Sequence, residues 1–527
     1  MARIVTASTM AAMDRATMDE FGLPGRILME TAGREAARII RQHYPLRDTP
    51  ILILCGNGNN GGDGWVTARY LLGWGAQVSV LLAGSPEKLT QNSLINRSLY
   101  EKAGGCVLTA DNDSRLAGHR GALQRAALFV DALFGIGLDR DVKGHFATLT
   151  DTVRESGKSL ISLDIPSGIH ADTGHVLGTA FRSDHTITFG FAKPGHFLEP
   201  GRSHRGILHT VDIGIPEVIY GKIPSDLACT DPEWAKEILT MRSPESHKGN
   251  FGHILLVAGA PDTRGAAVLA ATGALRSGAG LLSLMVPEAS LPLPGIPPEV
   301  MLHTVGGNNR TGFDDTALQS VADLLEGKTL VAAGPGMGTS SSAARILQRL
   351  LDCPLPLVLD ADALNLLALH PELMEKCCRR PHTTVLTPHP GEMARLCQTS
   401  STAIQQDRIA AAVCLATDSG CHILLKGAST VAATPEGFCR IVTSGNPGMA
   451  TGGSGDVLCG ILAGLMAQGL PADEAVPLAA YVHGLAGDHL AKNKGPIGYL
   501  PSEVAHTIPR IIQTTCIPPN RENPGHE

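Results

Sequence analysis

ILILCGNGNNGGDGWVTARYLL, residues 51–72, decides how the first half of this chain folds. Ile51–Leu54 is a short, unbroken apolar run, the pattern of a parallel strand covered on both faces. Gly56–Gly64 is drawn only from Gly, Asn and Asp, and Trp65–Leu72 reads as helix. A glycine-rich link between a buried strand and a helix lets backbone N–H groups come close to an anion. The helix dipole favours negative charge at the same point. The stretch therefore predicts the first β-α unit of a doubly wound sheet, with a phosphate-bearing ligand at the carboxyl end of its strand.

The same rhythm extends outward. Ala7–Ile40 reads as a helical segment before the first strand, and apolar runs follow at Val78–Leu82, Leu128–Val130, Leu160–Leu163, Thr186–Phe189 and Ile207–Val211. Between Pro216 and Gly249 the alternation lapses in a polar stretch punctuated by Pro216, Pro224, Pro232 and Pro244. Structureless loops that long are uncommon inside a domain, so a boundary is expected near residue 225. A second α/β series then begins, with runs at His253–Ala258, Leu281–Val286, Leu330–Ala333, Pro356–Leu359, Thr384–Leu386 and Ile423–Lys426. A hairpin over 430–442 and helices at Gly455–Ala467 and Asp473–Leu490 close it, with Asp473 as the expected N-cap. The expected organisation is a Rossmann-like doubly wound domain over 1–225, a second α/β domain over 226–517 and an unstructured tail at 518–527.

Composition narrows the function. A chain of 527 residues exceeds what a single core supports. Its net charge of −7 gives no electrostatic reason to expect nucleic acid as a partner. No apolar stretch of 18 residues and no leader pattern occur, which points to a cytoplasmic protein with no membrane partner. The 12 Cys are scattered, without a C-x-x-C pair or zinc-type spacing, as expected of free thiols in a reducing compartment.

In the first domain two more strand ends carry chemistry: Val130 leads into Asp131–Leu138, and Leu163 into Asp164–Gly168. In a parallel sheet these loops share an edge with Gly56–Gly64, so Asn60, Asp131, Asp164 and Ser167 converge on one crevice. The motifs GNGNNGGDG (56–64), VDALFGIGL (130–138), SLDIPSG (162–168) and HTITFGFAKPG (185–195) resemble the NAD(P)HX epimerase family over nearly all of residues 1–220. NAD(P)HX is NAD(P)H with a water added to the nicotinamide ring, as R and S epimers. The resemblance implies that Asn59, Asn60, Gly61, Gly62 and Asp63 line the damaged nucleotide, together with Gly135, Ile136, Gly137, Leu138, Asp139, Arg140 and Asp141. It also implies K⁺ near Asn60, Asp131 and Ser167, and it puts Asp164 at the nicotinamide end as candidate general base.

In the second domain, NPGMATGGSGD (446–456) runs straight into a helix. Small residues there leave N–H groups free to surround a phosphoryl group, and Asp456 stands ready to take a proton from an attacking hydroxyl. No Walker G-x-x-x-x-G-K-[ST] pattern occurs. TGGSGD (451–456) resembles the G-x-G-D motif of the ribokinase-like superfamily. More narrowly, SHKGNFGHILLVAGA (246–260), GPGMG (334–338), LDADALNLL (359–367), TPHPGEMARL (387–396) and KGAST (426–430) resemble the NAD(P)HX dehydratase family over roughly 230–515. That resemblance implies an adenine nucleotide on Lys426, Gly427, Ala428, Ser429, Thr430 and Gly455, and NAD(P)HX facing Ala266, Gly338, His389 and Asp456, with Asp456 as base. Fused chains of this kind use ADP with Mg²⁺; Asp360 and Asp362 either assist the metal through water or cap and pack. The expected partners are NADHX, NADPHX and further copies of the chain in a homo-oligomer. A small-molecule kinase with a regulatory first domain, and a non-catalytic nucleotide scaffold, are the alternatives. The first leaves the Asn-rich loop unexplained, and the second needs neither Asp164 nor Asp456.

Overall fold

Seven short strands of the first half align in parallel: β1 (Ile51–Cys55), β2 (Val78–Leu82), β3 (Cys106–Thr109), β4 (Leu128–Ala132), β5 (Ser159–Leu163), β6 (His185–Phe189) and β7 (Ile207–Val211). Their order is β3-β2-β1-β4-β5-β6-β7. β1 is paired residue for residue with β2 on one side and β4 on the other. All five of its residues are buried, as its unbroken apolar run requires. The strand order reverses between β1 and β4, which opens the ligand crevice of a doubly wound sheet at their carboxyl ends. β3 lies outside the expected strands; it is a four-residue edge strand with no fully buried residue. The helical segment expected over Ala7–Ile40 is two helices, Ala7–Asp19 and Gly25–His43; Gly22 (φ +84°) and Pro24 end one and start the other. Gly56 has a steric reason to be glycine, since a Cβ there would sit 2.0 Å from the Leu133 carbonyl oxygen. The loops after β1 and β4 can meet this closely only without that side chain.

The computed structural model describes residues 3–239, 241–306 and 312–516, so the expected tail at 518–527 lies outside the described residues. By contacts the chain divides into two compact units, one from Arg3 to Ser225 and one that begins at Asp226.

Among the described residues the second unit holds ten strands: β8 (Leu227–Cys229), β9 (His253–Val257), β10 (Leu281–Pro287), β11 (Met301–Val305), β12 (Leu330–Ala333), β13 (Leu357–Leu359), β14 (Thr384–Leu386), β15 (His422–Leu425), β16 (Val431–Ala433) and β17 (Cys439–Ile441). They run in the order β11-β10-β9-β12-β13-β14-β15-β16-β17-β8. β9 to β15 are mutually parallel, and the hairpin β16–β17 continues the sheet antiparallel. β8 then joins the far edge beside β17. It lies inside the stretch where the alternation was expected to lapse, and three residues carry too little pattern to be read as a strand. Here the order reverses between β9 and β12. Helices Arg264–Arg276 and Ser454–Ala467 pack closely over this sheet: a Cβ on Gly460 would sit 2.0 Å from the Ala270 carbonyl oxygen. The helix expected at Asp473–Leu490 spans Ala472–Asn493. Its N-cap is Pro471, so Asp473 lies in the first turn instead, where its charge suits the dipole.

Candidate active sites

At the first switch point, helix Asn59–Gly73 starts inside the glycine stretch, six residues before the expected Trp65, so that Asn59–Gly64 form its first turns, and no side chain caps it. Its first-turn N–H groups therefore face away from any protein capping oxygen, the arrangement used for anions. Asn59 is exposed, whereas Asn60, Gly61, Gly62 and Asp63 are buried in the first turns. Asn60 reaches across the crevice: its Nδ2 donates to the carbonyls of Phe134 (2.9 Å) and Leu163 (3.3 Å). Its buried Oδ1 has no partner. Asp131, fully buried at the end of β4, accepts from Ser167 N (2.8 Å), Ser167 Oγ (2.6 Å), Ser162 Oγ (2.7 Å) and Leu133 N (3.1 Å). Burial still pushes it up to about 6, against those hydrogen bonds.

Asp164 follows β5 with φ +64°, a left-handed conformation uncommon for a residue with a Cβ. Its carboxylate pairs with Lys193 Nζ at 2.7 Å and accepts from Ile136 N at 3.1 Å. Burial alone raises the Asp164 carboxyl, but the charge and hydrogen bond of Lys193, followed by His196, outweigh it and hold it below its ordinary value. Lys193 is itself 1% exposed and donates to Thr188 Oγ1 (2.9 Å) and the Phe189 carbonyl (3.2 Å) as well. Burial pushes His196 down to about 3, and its Nε2 lies 2.9 Å from the Asp164 carbonyl. Two further carboxyls feel the same centre. Burial and the charge of Asp164 push Asp63 well above the carboxylate range, and burial pushes Asp14 to about 6.

Gly135 and Ile136 therefore belong with Asp164; a Cβ on Gly135 would lie 2.8 Å from Asp164 Oδ2. Beyond them Gly137, Asp139, Arg140 and Asp141 are exposed and Leu138 is half-buried. Lys193, Thr188, His196 and Asp14 are not among the site residues that sequence reasoning singles out. Lys193 and Thr188 do stand inside the HTITFGFAKPG motif, which held the signal.

In the second unit the residues come from five stretches that follow the parallel strands β9, β12, β13, β14 and β15, and from the start of helix Ser454–Ala467. Ala266 is half-buried in the first turn of helix Arg264–Arg276, after β9. Gly338 (φ +80°) follows β12, and its N–H donates to Asp362 Oδ2 at 2.9 Å. Asp360, after β13, is buried and pairs with Lys426 Nζ at 2.6 Å; Glu392 lies 4.0 Å from the same ammonium. Burial lowers Lys426, but Asp360 and Glu392 outweigh it and leave it raised. Lys426 stays a cation. Gly455 lies against it, since a Cβ there would be 3.3 Å from Lys426 Nζ.

Helix Ser454–Ala467 has Gly453 (φ +95°) at its N-cap and no side-chain cap, and Asp456 is in its first turn. Burial first, then the charge of Asp360, pushes the half-buried Asp456 up to about 7, with Asp362 and Glu392 adding and Lys426 opposing. His389 also serves the local structure, because its Nδ1 caps helix Pro390–Leu396 by accepting from Gly391 N at 2.9 Å. Its Nε2 lies 3.3 Å from Oε1 of the buried Glu392.

Arg408 escapes a sequence reading altogether. It is buried and donates to the carbonyls of Leu425 (3.0 Å), Lys426 (3.0 Å) and Ser429 (3.2 Å), and so fixes the loop Lys426–Thr430 from behind. Gly427, Ala428 and the half-buried Thr430 stay on the outer side. We expect Arg408→Ala to cost about 2–4 kcal/mol, because two buried hydrogen bonds and one part-buried hydrogen bond to carbonyls are lost. Urea denaturation measures this; a loss under about 1 kcal/mol would show that the loop holds itself.

A family profile described as "NAD(P)H-hydrate dehydratase" matches residues 254–510, and one described as "YjeF-related protein N-terminus" matches residues 25–195. The bifunctional NAD(P)H-hydrate repair enzyme of Moorella thermoacetica is 38% identical over 515 residues, covering 97% of this chain and 96% of the relative. The chain belongs to the bifunctional NAD(P)H-hydrate repair enzyme family. The Escherichia coli member is 34% identical over 510 residues, covering 97% of this chain and 94% of that one. Among solved structures, an ADP/ATP-dependent NAD(P)H-hydrate dehydratase from Bacillus subtilis, co-crystallised with ATP and Mg²⁺, is 31% identical, with a TM-score of 0.48, and covers 54% of this chain and 97% of that one. The family's two activities correspond to two profiles, and the two switch points above lie one within each. No described helix is long and apolar enough to cross a membrane.

Proposed function

We propose that the chain performs two consecutive steps on one damaged nucleotide. The first unit interconverts R- and S-NAD(P)HX, and the second dehydrates the S epimer to NAD(P)H at the expense of ADP, giving AMP and phosphate. Asp456 carries the reading of the second step. It stands in the first turn of a helix with no side-chain cap and feels the charge of the half-buried Lys426, and its carboxyl is matched to neutral pH, as a general base requires. Asp456 takes the proton of the ring hydroxyl as that oxygen attacks the terminal phosphoryl of ADP. N–H groups at Gly452–Gly455 and the Lys426 ammonium balance the charge on the moving phosphoryl. Phosphate then leaves with the electron pair of the C–O bond, the neighbouring ring carbon gives up a proton, and its C–H electrons form the ring double bond. Lys426, Gly427, Ala428, Ser429, Thr430 and Gly455 hold the nucleotide, and Ala266, Gly338 and His389 face NAD(P)HX. Asp360 and Asp362 are the carboxylates that would help hold Mg²⁺, which would supply positive charge to the ADP phosphates.

In the first unit Asp164 is the proton acceptor, kept ionised by Lys193. Asp63 and Asp14, pushed the other way, supply groups that hold a proton. Carboxyls driven apart in one crevice divide acid and base roles between them. A K⁺ ion suits Asn60, Asp131 and Ser167, because the orphaned Asn60 Oδ1 and the buried Asp131 anion both lack a cation partner. Its contribution would be a positive charge beside the bound nucleotide.

The test is to give purified protein a mixture of R- and S-NADHX with Mg²⁺ and either ADP or ATP, and to follow NADH formation. Complete conversion with ADP is expected; no NADH with either nucleotide overturns the second step. Consumption that stops at the S fraction overturns the first. The pH profile is a further check. The free-enzyme kcat/KM for dehydration should fall as pH drops through about 7, because Asp456 becomes protonated and cannot accept the hydroxyl proton. A profile flat from pH 6 to 8 removes Asp456 as the base.

A further inference from the structure

The first unit carries a second concentration of chemistry, at the other end of β6 from Asp164. His185 opens β6, His209 sits within β7, and His43 is the last residue of helix Gly25–His43. Phe189, at the carboxyl end of β6, lies beside the Lys193 centre, and His185 is four residues back, about 13 Å along the strand. Among the described residues, these three are the group whose metal-ligating atoms converge, all within 4.8 Å of one another. His185 Nδ1 and His209 Nε2 are 3.0 Å apart, and the His43 ring centroid is 4.4 Å from that of His185 and 5.3 Å from that of His209.

The placement departs from the local pattern. His185 alternates with Ile187 and Phe189, and His209 with Val211, on the face that buries in one core with Ile39 and Ile40 of the helix. Two imidazoles thus stand where the apolar face continues, opposite a third at the helix end. A hydrogen-bonded neutral pair accounts for His185 and His209, but not for the convergence of His43. His43 is exposed and the other two half-buried, which leaves an ion a way in and a position for solvent. The carbonyls ending helix Gly25–His43 favour positive charge at that point.

We propose that His43, His185 and His209 form a three-histidine site for a borderline divalent transition ion, taken here as Zn²⁺, with solvent in the fourth position. Zn–N bonds of about 2.0–2.1 Å put tetrahedral ligand atoms about 3.3 Å apart, so small side-chain adjustments close the observed set around one ion. Three imidazoles discriminate against Mg²⁺, which prefers oxygen ligands. A bound ion would fasten the end of helix Gly25–His43 to the β6–β7 edge of the sheet, apart from the proposed reactions.

The full chain, stripped with a chelator, is titrated with Zn²⁺ against a chromophoric competitor and, separately, with Co²⁺ alone. One equivalent should bind, Co²⁺ should give the intense visible bands of a four-coordinate ion, and millimolar Mg²⁺ should not displace either. His43→Gln, at an exposed helix end, should keep the fold and weaken Zn²⁺ by about 100-fold, with loss of the Co²⁺ bands. His209→Gln should do the same, with far-ultraviolet circular dichroism reporting the fold. Uptake that is absent, or equal in the wild-type chain and His43→Gln, overturns the proposal, because equal uptake means zinc held elsewhere on the chain.

Discussion

Asp456→Asn should lower the rate of ADP-dependent NADH formation from S-NADHX by about 10²–10⁴-fold, the usual contribution of a positioned general base. Asn keeps the size of the side chain and its place in the first turn of helix Ser454–Ala467, so the N–H groups of the phosphoryl cradle stay where they are. The substitution also removes a half-buried carboxyl that burial and Asp360 make costly to ionise. The folded state should therefore be no less stable above pH 7, and a drop in activity without a drop in melting temperature would be chemical in origin. The sign follows from the direction of the shift. A folded-state value of about 7, against an ordinary 3.8, means that ionising Asp456 opposes folding as pH rises through that interval. Epimer exchange should survive unchanged. If Asp456→Asn loses both activities, the two sites do not work independently; if it loses neither, the phosphoryl step has a different base.

The loop that carries Asp456 was legible because small residues, a helix start and an acid stand within one stretch, whereas the charges of Asp360, Glu392 and Lys426 that act on its carboxyl come from distant strand ends. The β1 loop was legible for the same reason. What was not legible depended on partners distant in the chain. Lys193 lies in a Gly- and Pro-containing segment, where a lysine reads as solvated, and only the fold brings its ammonium to Asp164, 29 residues earlier. Arg408 is an ordinary helix residue by sequence, yet its guanidinium turns inward beneath the loop after β15. His389 reads in sequence as a substrate contact, and half of its ring is engaged in capping. The missed strands β3 and β11 are half-exposed edges, whose pattern is diluted because only part of each face is covered, and β8 has just three residues. The histidine trio was invisible at sequence level, because His43, His185 and His209 come from three elements with no metal-type spacing.

Asp164→Asn should leave consumption of S-NADHX normal and strand the R epimer, with exchange slowed by about 10²–10⁴-fold. Two costs need separating. Asn is among the few residues that tolerate φ +64°, so the backbone at 164 should hold, which Asp164→Ala would not guarantee. Charge is the larger matter. Lys193 is buried, and removing its carboxylate partner takes away the anion paired with its ammonium at 2.7 Å, a loss of about 3–5 kcal/mol for a buried pair broken on one side. The single variant therefore confounds catalysis with stability. Asp164→Asn combined with Lys193→Met removes both charges and should recover most of that stability, since an apolar replacement of a buried pair is close to neutral. It should not recover exchange. Urea denaturation of both variants gives the stability difference, and the residual R-NADHX after prolonged incubation with ADP gives the activity. If the double variant regains stability and still consumes R-NADHX faster than it epimerises spontaneously, Asp164 is not the base, and the Asp63 and Asp14 carboxyls become the groups to change next.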